Sequence, residues 1–444
     1  MGSEPGASSE HQRKAKAHIL SKMVQNQIGV NLGKGMADPY VPVLAVTLGA
    51  NAPQLGWLQA FMNLFPAVMQ VPWGKLSDFF GRRIPFLAIG GVMSFAFYFF
   101  LVGVVNAWQL IILVAIQMLI GSMMIPTWSA LVGDVTTVKD RGSVMGRFFA
   151  ISSVASLVGT LFAGAIIPDE NATMKDFAIP FFVAGGSGII GSLVLYEIAE
   201  EKRRLFASPK TLFAFSIKSL IFFKDLTENK YFRNLVALNS AYNFIMSLIW
   251  PLLYLTYMIV LGASALEIGI IVVIERASTL FFQTKVGKLL DVIGPMPQIL
   301  ISRFAFISVP IVYALATEIW HICVLNVALG VASAMANVSF FSYILDVAPE
   351  EKKGVYFAVY NTVVGIATFA GSIIGGYLAY YFLEFYGGDW VLGLGAVYLI
   401  SAFGRAAGAV WFLKLKDPVP YPDTLTGVIK KWYGRWRGRI SRSA

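Results

Sequence analysis

Hydrophobic positions along this chain gather in long blocks separated by short polar breaks. Predominantly apolar runs occupy about 24–48, 53–76, 84–105, 108–133, 144–167 and 178–198, and after a polar segment six more lie at about 234–260, 266–288, 298–317, 320–345, 355–382 and 390–413. About 20 apolar residues in a helix cross the hydrocarbon core of a bilayer. The pattern therefore predicts an all-α integral membrane protein with twelve transmembrane helices and both termini on one side. It divides the chain into a polar tail (1–22), a six-helix bundle (23–198), a charged linker (199–233), a second six-helix bundle (234–415) and a basic tail (416–444).

Composition agrees: of 444 residues, 57% are hydrophobic and 14% charged, against roughly 45–50% and about 25% in soluble domains. The net charge of +10 sits in three places, with +2 in residues 1–22, +3 in 197–233 and +5 in 416–444. Such a distribution predicts basic ends facing anionic lipid and no nucleic-acid partner. With the N-terminus inside, the inner loops hold Lys75, Arg82, Arg83, Lys139, Arg141, Lys288, Lys352 and Lys353, whereas the outer loops hold Lys175 among seven acids. The positive-inside rule then puts both termini in the cytoplasm of a cell-membrane protein. No removable signal peptide is evident. In the C-terminal tail, six basic residues from Lys430 to Arg442 interleave with Trp432, Tyr433 and Trp436, the composition of a segment lying on a membrane surface.

The chain repeats itself. Gly74-Lys75-Leu76-x-Asp78-x-x-Gly81 returns as Gly287-Lys288-Leu289-x-Asp291-x-x-Gly294 at an offset of 213, and Asp134, Gly142, Gly159 and Gly164 match Asp346, Gly354, Gly371 and Gly376 at 212. An offset kept through charged loop residues indicates a duplicated six-helix unit. Gly74 to Arg83, between the second and third runs, resembles the loop signature of the major facilitator superfamily (MFS), and the degenerate second copy lies in the matching place of the second half. The resemblance implies two pseudo-symmetric bundles of the MFS fold around a central cavity. It implies gating roles for Gly74, Asp78, Gly81, Arg82, Arg83, Asp134, Arg141 and Asp291. By the same resemblance Asp78 meets the helix start near Gly354, Asp291 the start near Gly142, and Asp78, Asp134 and Arg141 form an inner charge cluster. The two glycines are expected to permit a tight turn, and the arginines to face the inner leaflet.

Subfamily signatures are missing. Span four carries Val114 and Gln117 where proton-coupled members place an arginine and a glutamine, span five lacks the Gly-Pro pair of drug/proton antiporters, and Pro295-Met296 stand where the first half has its arginine pair.

Polar groups at membrane depth are costly and so mark functional positions. Lys34 and Asp38 lie four apart on one face of span one, followed by Pro39; Glu275 and Arg276 lie in span eight, where adjacent side chains diverge by about 100° and are not expected to share one cavity. Asn63, Gln117, Asn243, Asn337 and Asn361 complete the substrate or proton site candidates. Arg405 in span twelve reads as structural. Three histidines, His11, His18 and His321, and the single Cys323 supply neither a catalytic triad nor a metal site. The expectation is no enzyme and no cofactor. The chain reads as a monomeric secondary active transporter of a small organic solute, leaning to an anion or zwitterion and a candidate for proton coupling. The alternative is a transporter-fold membrane sensor or binding protein without net transport.

Overall fold

The computed structural model describes residues 5–137, 140–168, 172–198, 229–419 and 421, and of residues 5–15, 141 and 351 the backbone alone. The twelve apolar runs all fall on helical segments, and the protein is an all-α multi-pass membrane protein of two six-helix halves. Among the described residues, nine helices are long and apolar enough to cross a membrane. The other three runs are spans one, two and eight. These carry the polar groups singled out above, among them Lys34, Asp38, Asn63, Glu275 and Arg276.

Span one begins well before its apolar run, as a helix from Pro5 to Ala37. Two ion pairs tie this extension to the bundle: Lys16 to Asp140, and Lys22 to Glu197. Residues 199–228 of the predicted charged linker (199–233) and the C-terminal tail beyond Tyr421 lie outside the described residues, and the linker's last residues, from Lys230, already belong to the Lys230–Ser247 helix.

The first span of each half is interrupted. Proline lacks an N–H and clashes with the preceding turn, and at Pro39 span one breaks between Ala37 and Val41. Pro251 lies 212 residues on, within one residue of the repeat offset of 213 in this part of the chain, and there the Lys230–Ser247 helix gives way to a 3-10 turn at Trp250–Leu252 and a π-turn at Thr256–Val260.

Spans two (Ala52–Val68 and Gln70–Phe80) and eleven (Lys353–Phe385) form the closest seam between the halves, followed by spans five (Arg141–Ile166) and eight (Ala265–Ile293). Both seams are tight at the end remote from the signature loop. A Cβ on Gly56 would lie 2.8 Å from the Ser372 carbonyl oxygen, and one on Gly376 2.6 Å from that of Ala52. Such approaches are open only to glycine, as in other membrane helix pairs. Tyr40 closes the second seam by donating to the Thr160 carbonyl at 2.6 Å, beside Gly164 and Gly269.

Candidate functional site

Between the halves lies one large cavity of about 1170 Å³, lined by spans one, two, four, five, seven, eight, nine, ten and eleven with contributions from span three. Its lining residues lie toward the end that carries the signature loop, and none comes from the tight Gly56–Gly376 contacts at the other end.

Six of the sequence-predicted residues line it: Lys34, Asn243, Glu275, Arg276, Asn337 and Asn361. Lys34 projects into the space from span one, and among the described residues no carboxylate pairs with it directly. Asn361 Nδ2 donates to Gln70 Oε1 at 3.2 Å, joining spans eleven and two. Asn243 Nδ2 donates to the Asn239 carbonyl at 2.8 Å, and Ser333 Oγ donates to Glu275 Oε1 at 3.0 Å.

Glu275 and Arg276 correct the expectation that adjacent residues cannot share the cavity. Arg276 is long enough to reach sideways, and its Nη1 donates to Ser156 Oγ of span five at 2.6 Å while Glu275 turns toward span ten. Span eight thereby contributes both charges, and Arg276 bridges the two halves.

Three candidates lie elsewhere. Asp38, still near enough to Lys34 to feel its charge, makes its hydrogen bond elsewhere: at the Pro39 break its side chain turns to span three, where Tyr98 Oη donates to its Oδ1 at 2.5 Å. Gln117, 1% exposed, sits against the same tyrosine. Asp38, Tyr98 and Gln117 thus form a chain inside the first half and off the cavity wall. Asn63 Nδ2 donates to the Gln59 carbonyl of its own helix at 2.8 Å, which leaves it as a satisfied helix residue.

The signature loop also departs from expectation. Gly81 ends the Gln70–Phe80 helix in the left-handed region (φ 66°), and its repeat partner Gly294 ends the Ala265–Ile293 helix at φ 79°. Gly74 lies mid-helix and makes no turn. Arg82 is exposed, but Arg83 points inward, paired with Asp78, 3.8 Å from Asp134 Oδ2, and donating to Ser77 Oγ at 2.8 Å. Asp78 therefore meets its own half. A Cβ on Gly354 or Gly142 would have no heavy atom of the described residues within 4 Å, so nothing among them packs on either glycine. Asp291 is exposed, and the side chain of Arg141 lies outside the described residues.

Several cavity residues escaped the sequence reading. Gln27, Asn31 and Ser152 form a network between spans one and five, with Ser152 donating to Gln27 at 2.7 Å. Asn239 donates to Tyr360 Oη at 2.7 Å. Arg303 of span nine is 4% exposed, lines the cavity, and lies over the rings of Phe340 (4.5 Å) and Tyr242 (4.6 Å). The signal for Arg303 is present in the sequence, since an arginine within 298–317 is costly wherever it points.

Among known proteins, the family model described as the Major Facilitator Superfamily matches residues 26–372 and, in a second match, 244–441. An MFS-type transporter of Methanocaldococcus jannaschii, itself uncharacterized, is 24% identical over 392 residues, 87% of this chain and 95% of that protein. The multidrug resistance protein MdtG of Proteus mirabilis is 23% identical over 356 residues, 78% of this chain and 85% of its own. Of solved structures, a bacterial homolog of the human lysosomal transporter Spinster, inward-facing and occupied, superimposes with a TM-score of 0.67 at 14% identity, over 93% of this chain and 97% of that one. The nucleoside transporter NupG does so at 0.63 and 13% identity, over 90% and 98%.

Proposed function

This chain belongs to the major facilitator superfamily, and from that premise we propose that it is a secondary active transporter moving a small organic solute by alternating access. The observation that carries the reading is the cavity between the halves, sealed at one end by glycine contacts and open at the other. Two rigid bundles joined by small-residue seams can rock about such a site, exposing it to each side in turn. The cavity is built within a single chain, so a monomer suffices. With the termini cytoplasmic, as the loop charges favour, this conformation is open to the cytoplasm of a cell-membrane protein. The Asp78–Arg83–Asp134 cluster would then dock on the second half when that end closes. Asp38, held by Tyr98 off the cavity wall, is the group we assign to proton exchange.

The relatives' names, which include multidrug and nucleoside transporters, support solute movement as the activity. The test is flux: purified protein in liposomes is expected to catalyse saturable uptake or counterflow of an organic solute. Saturable binding without flux for every solute bound would instead establish the sensor reading.

A further inference from the structure

We propose that the solute is an organic acid whose anionic group is held in the second half by Arg303 and Tyr360, while its apolar body lies along the aromatic cavity wall. The inference rests on the transport reading and adds the substrate class.

Arg303 is a buried cation without a counterion. Among the described residues no carboxylate forms an ion pair with it, and its buried Nε has no hydrogen-bond acceptor. The rings of Tyr242 and Phe340 offset part of the desolvation by covering the guanidinium. The rings themselves supply no acceptor; the Tyr242 hydroxyl lies close enough to hydrogen-bond the guanidinium, but Nε–H stays without a partner, and a charge taken out of water with its hydrogen bonds incomplete is disfavoured. Arg405, in the same half and equally buried, shows what a structural arginine looks like. Its Nη1 donates to the Phe306 carbonyl at 2.7 Å, its Nη2 to that of Met246 at 3.0 Å and its Nε to Ser401 at 3.1 Å.

Tyr360 stands beside this arginine, its ring stacked with Phe340 at 6.3 Å. Its oxygen accepts from Asn239 Nδ2, which leaves the O–H as a donor. A guanidinium and a phenol O–H meeting at a cavity suit a carboxylate, sulfonate or phosphate monoester, which charge-assisted hydrogen bonds hold strongly. Lys34 and Arg276 add positive charge against the single carboxylate of Glu275, so the cavity as a whole favours an anion. Trp128, Phe148, Trp250 and Phe357 line the same space and offer rings to an aromatic or alkyl body.

Two probes of nearly equal shape separate charge from fit: 1-naphthylacetate and its neutral amide. The expected result is saturable binding and counterflow of the acid at an affinity at least about tenfold above that of the amide. Arg303→Met should abolish that preference, and Arg303→Lys should weaken acid binding about tenfold, because lysine keeps the charge but loses the planar fork. Tyr360→Phe should weaken it several-fold. Arg303→Met should also keep or raise the unfolding temperature of the ligand-free protein, since it removes an uncompensated charge, whereas Arg405→Met should lower it. Equal affinity for acid and amide, or an Arg303→Met protein that binds the acid as wild type does, overturns the proposal. A lowered unfolding temperature with acid binding intact assigns Arg303 to structure and overturns it as well. Acid binding without flux would reject transport and leave the anion site standing; flux of the amide alone would do the reverse. In vesicles of phosphatidylcholine, adding phosphatidylglycerol should leave acid affinity unchanged. Competition by that lipid would assign Arg303 to a headgroup and overturn the solute assignment.

Discussion

Asp38 and Lys34 show how four residues of spacing on one helix separate two roles. A proline one position beyond Asp38 releases the backbone, and the carboxylate turns to Tyr98 while Lys34 stays with the cavity. If Asp38 exchanges the coupling proton, Asp38→Asn should abolish pH-gradient-driven accumulation while leaving exchange. Because Lys34 is not its direct partner, adding Lys34→Met should not restore accumulation; restoration would end the coupling assignment. Tyr98→Phe strands a half-buried carboxylate and should cost about 1–3 kcal/mol in stability, measured by thermal unfolding in detergent. The cavity residues Lys34, Asn243, Glu275, Arg276, Asn337 and Asn361 were legible because a polar group at membrane depth is rare for an energetic reason. Sequence gives depth along a span but not the face, so Asn63, Gln117 and Asp38 are equally polar and equally deep yet point elsewhere. Arg303 and Asn239 became interpretable only when their neighbours, aromatic rings and a tyrosine hydroxyl from distant spans, were in place.

At the scale of elements, the repeat predicts where the halves match, and the structure shows how they compensate where they do not. In the first half Arg83 gathers Asp78 and Asp134; its repeat position is Met296, which has no charge to offer. The chain after span twelve takes over. Tyr421 donates to Asp346, the counterpart of Asp134, at 2.7 Å, and Asp417 accepts from the Met296 N–H at 3.1 Å. Burial pushes the Asp417 carboxyl up, against the pull of that N–H, and burial together with Asp346 raises the Tyr421 hydroxyl to about 12. Tyr421→Phe keeps the ring over Gly294 and should cost about 1 kcal/mol, read from chemical denaturation; an unchanged midpoint would show that the strap is held by the ring alone. The helical extension of span one gives a pH-dependent counterpart. The hydrogen bond from Lys16, aided by Thr137, holds the Asp140 carboxyl down at about 2. A carboxyl depressed in the folded state contributes stability above its ordinary range and loses it as pH falls from about 4 toward 2. The pair is exposed, so salt should weaken it too. Protease cleavage within residues 5–22 is therefore expected to speed up below about pH 4, and at neutral pH in high salt; rates indifferent to both would remove the tether.

The whole molecule has a polarity that neither half has alone, with glycine seams at one end and separated signature loops at the other. Gly164 and Gly376 stand out in the sequence as matching repeat positions, but only the pairing of Gly56 with Gly376 across the halves shows which end is shut. In a Cys323→Ala background, single cysteines at 172 and 386 should react with an impermeant reagent from outside the cell, and those at 80 and 350 should not; the reverse pattern would invert the assigned orientation. The same background tests the alternation itself. Gly56→Leu places side-chain atoms where the Ser372 carbonyl now stands, 2.8 Å from even a first carbon, and helices cannot pack that closely around a leucine. The seal should fail, the equilibrium should move toward opening at that end, and net transport should be lost. A cysteine at Asn337, in the cavity wall, should then be labelled from outside in the Gly56→Leu protein and only from inside without it. Labelling of that cysteine from inside alone in both proteins would show that the Gly56–Gly376 seam is packing and not the outer gate.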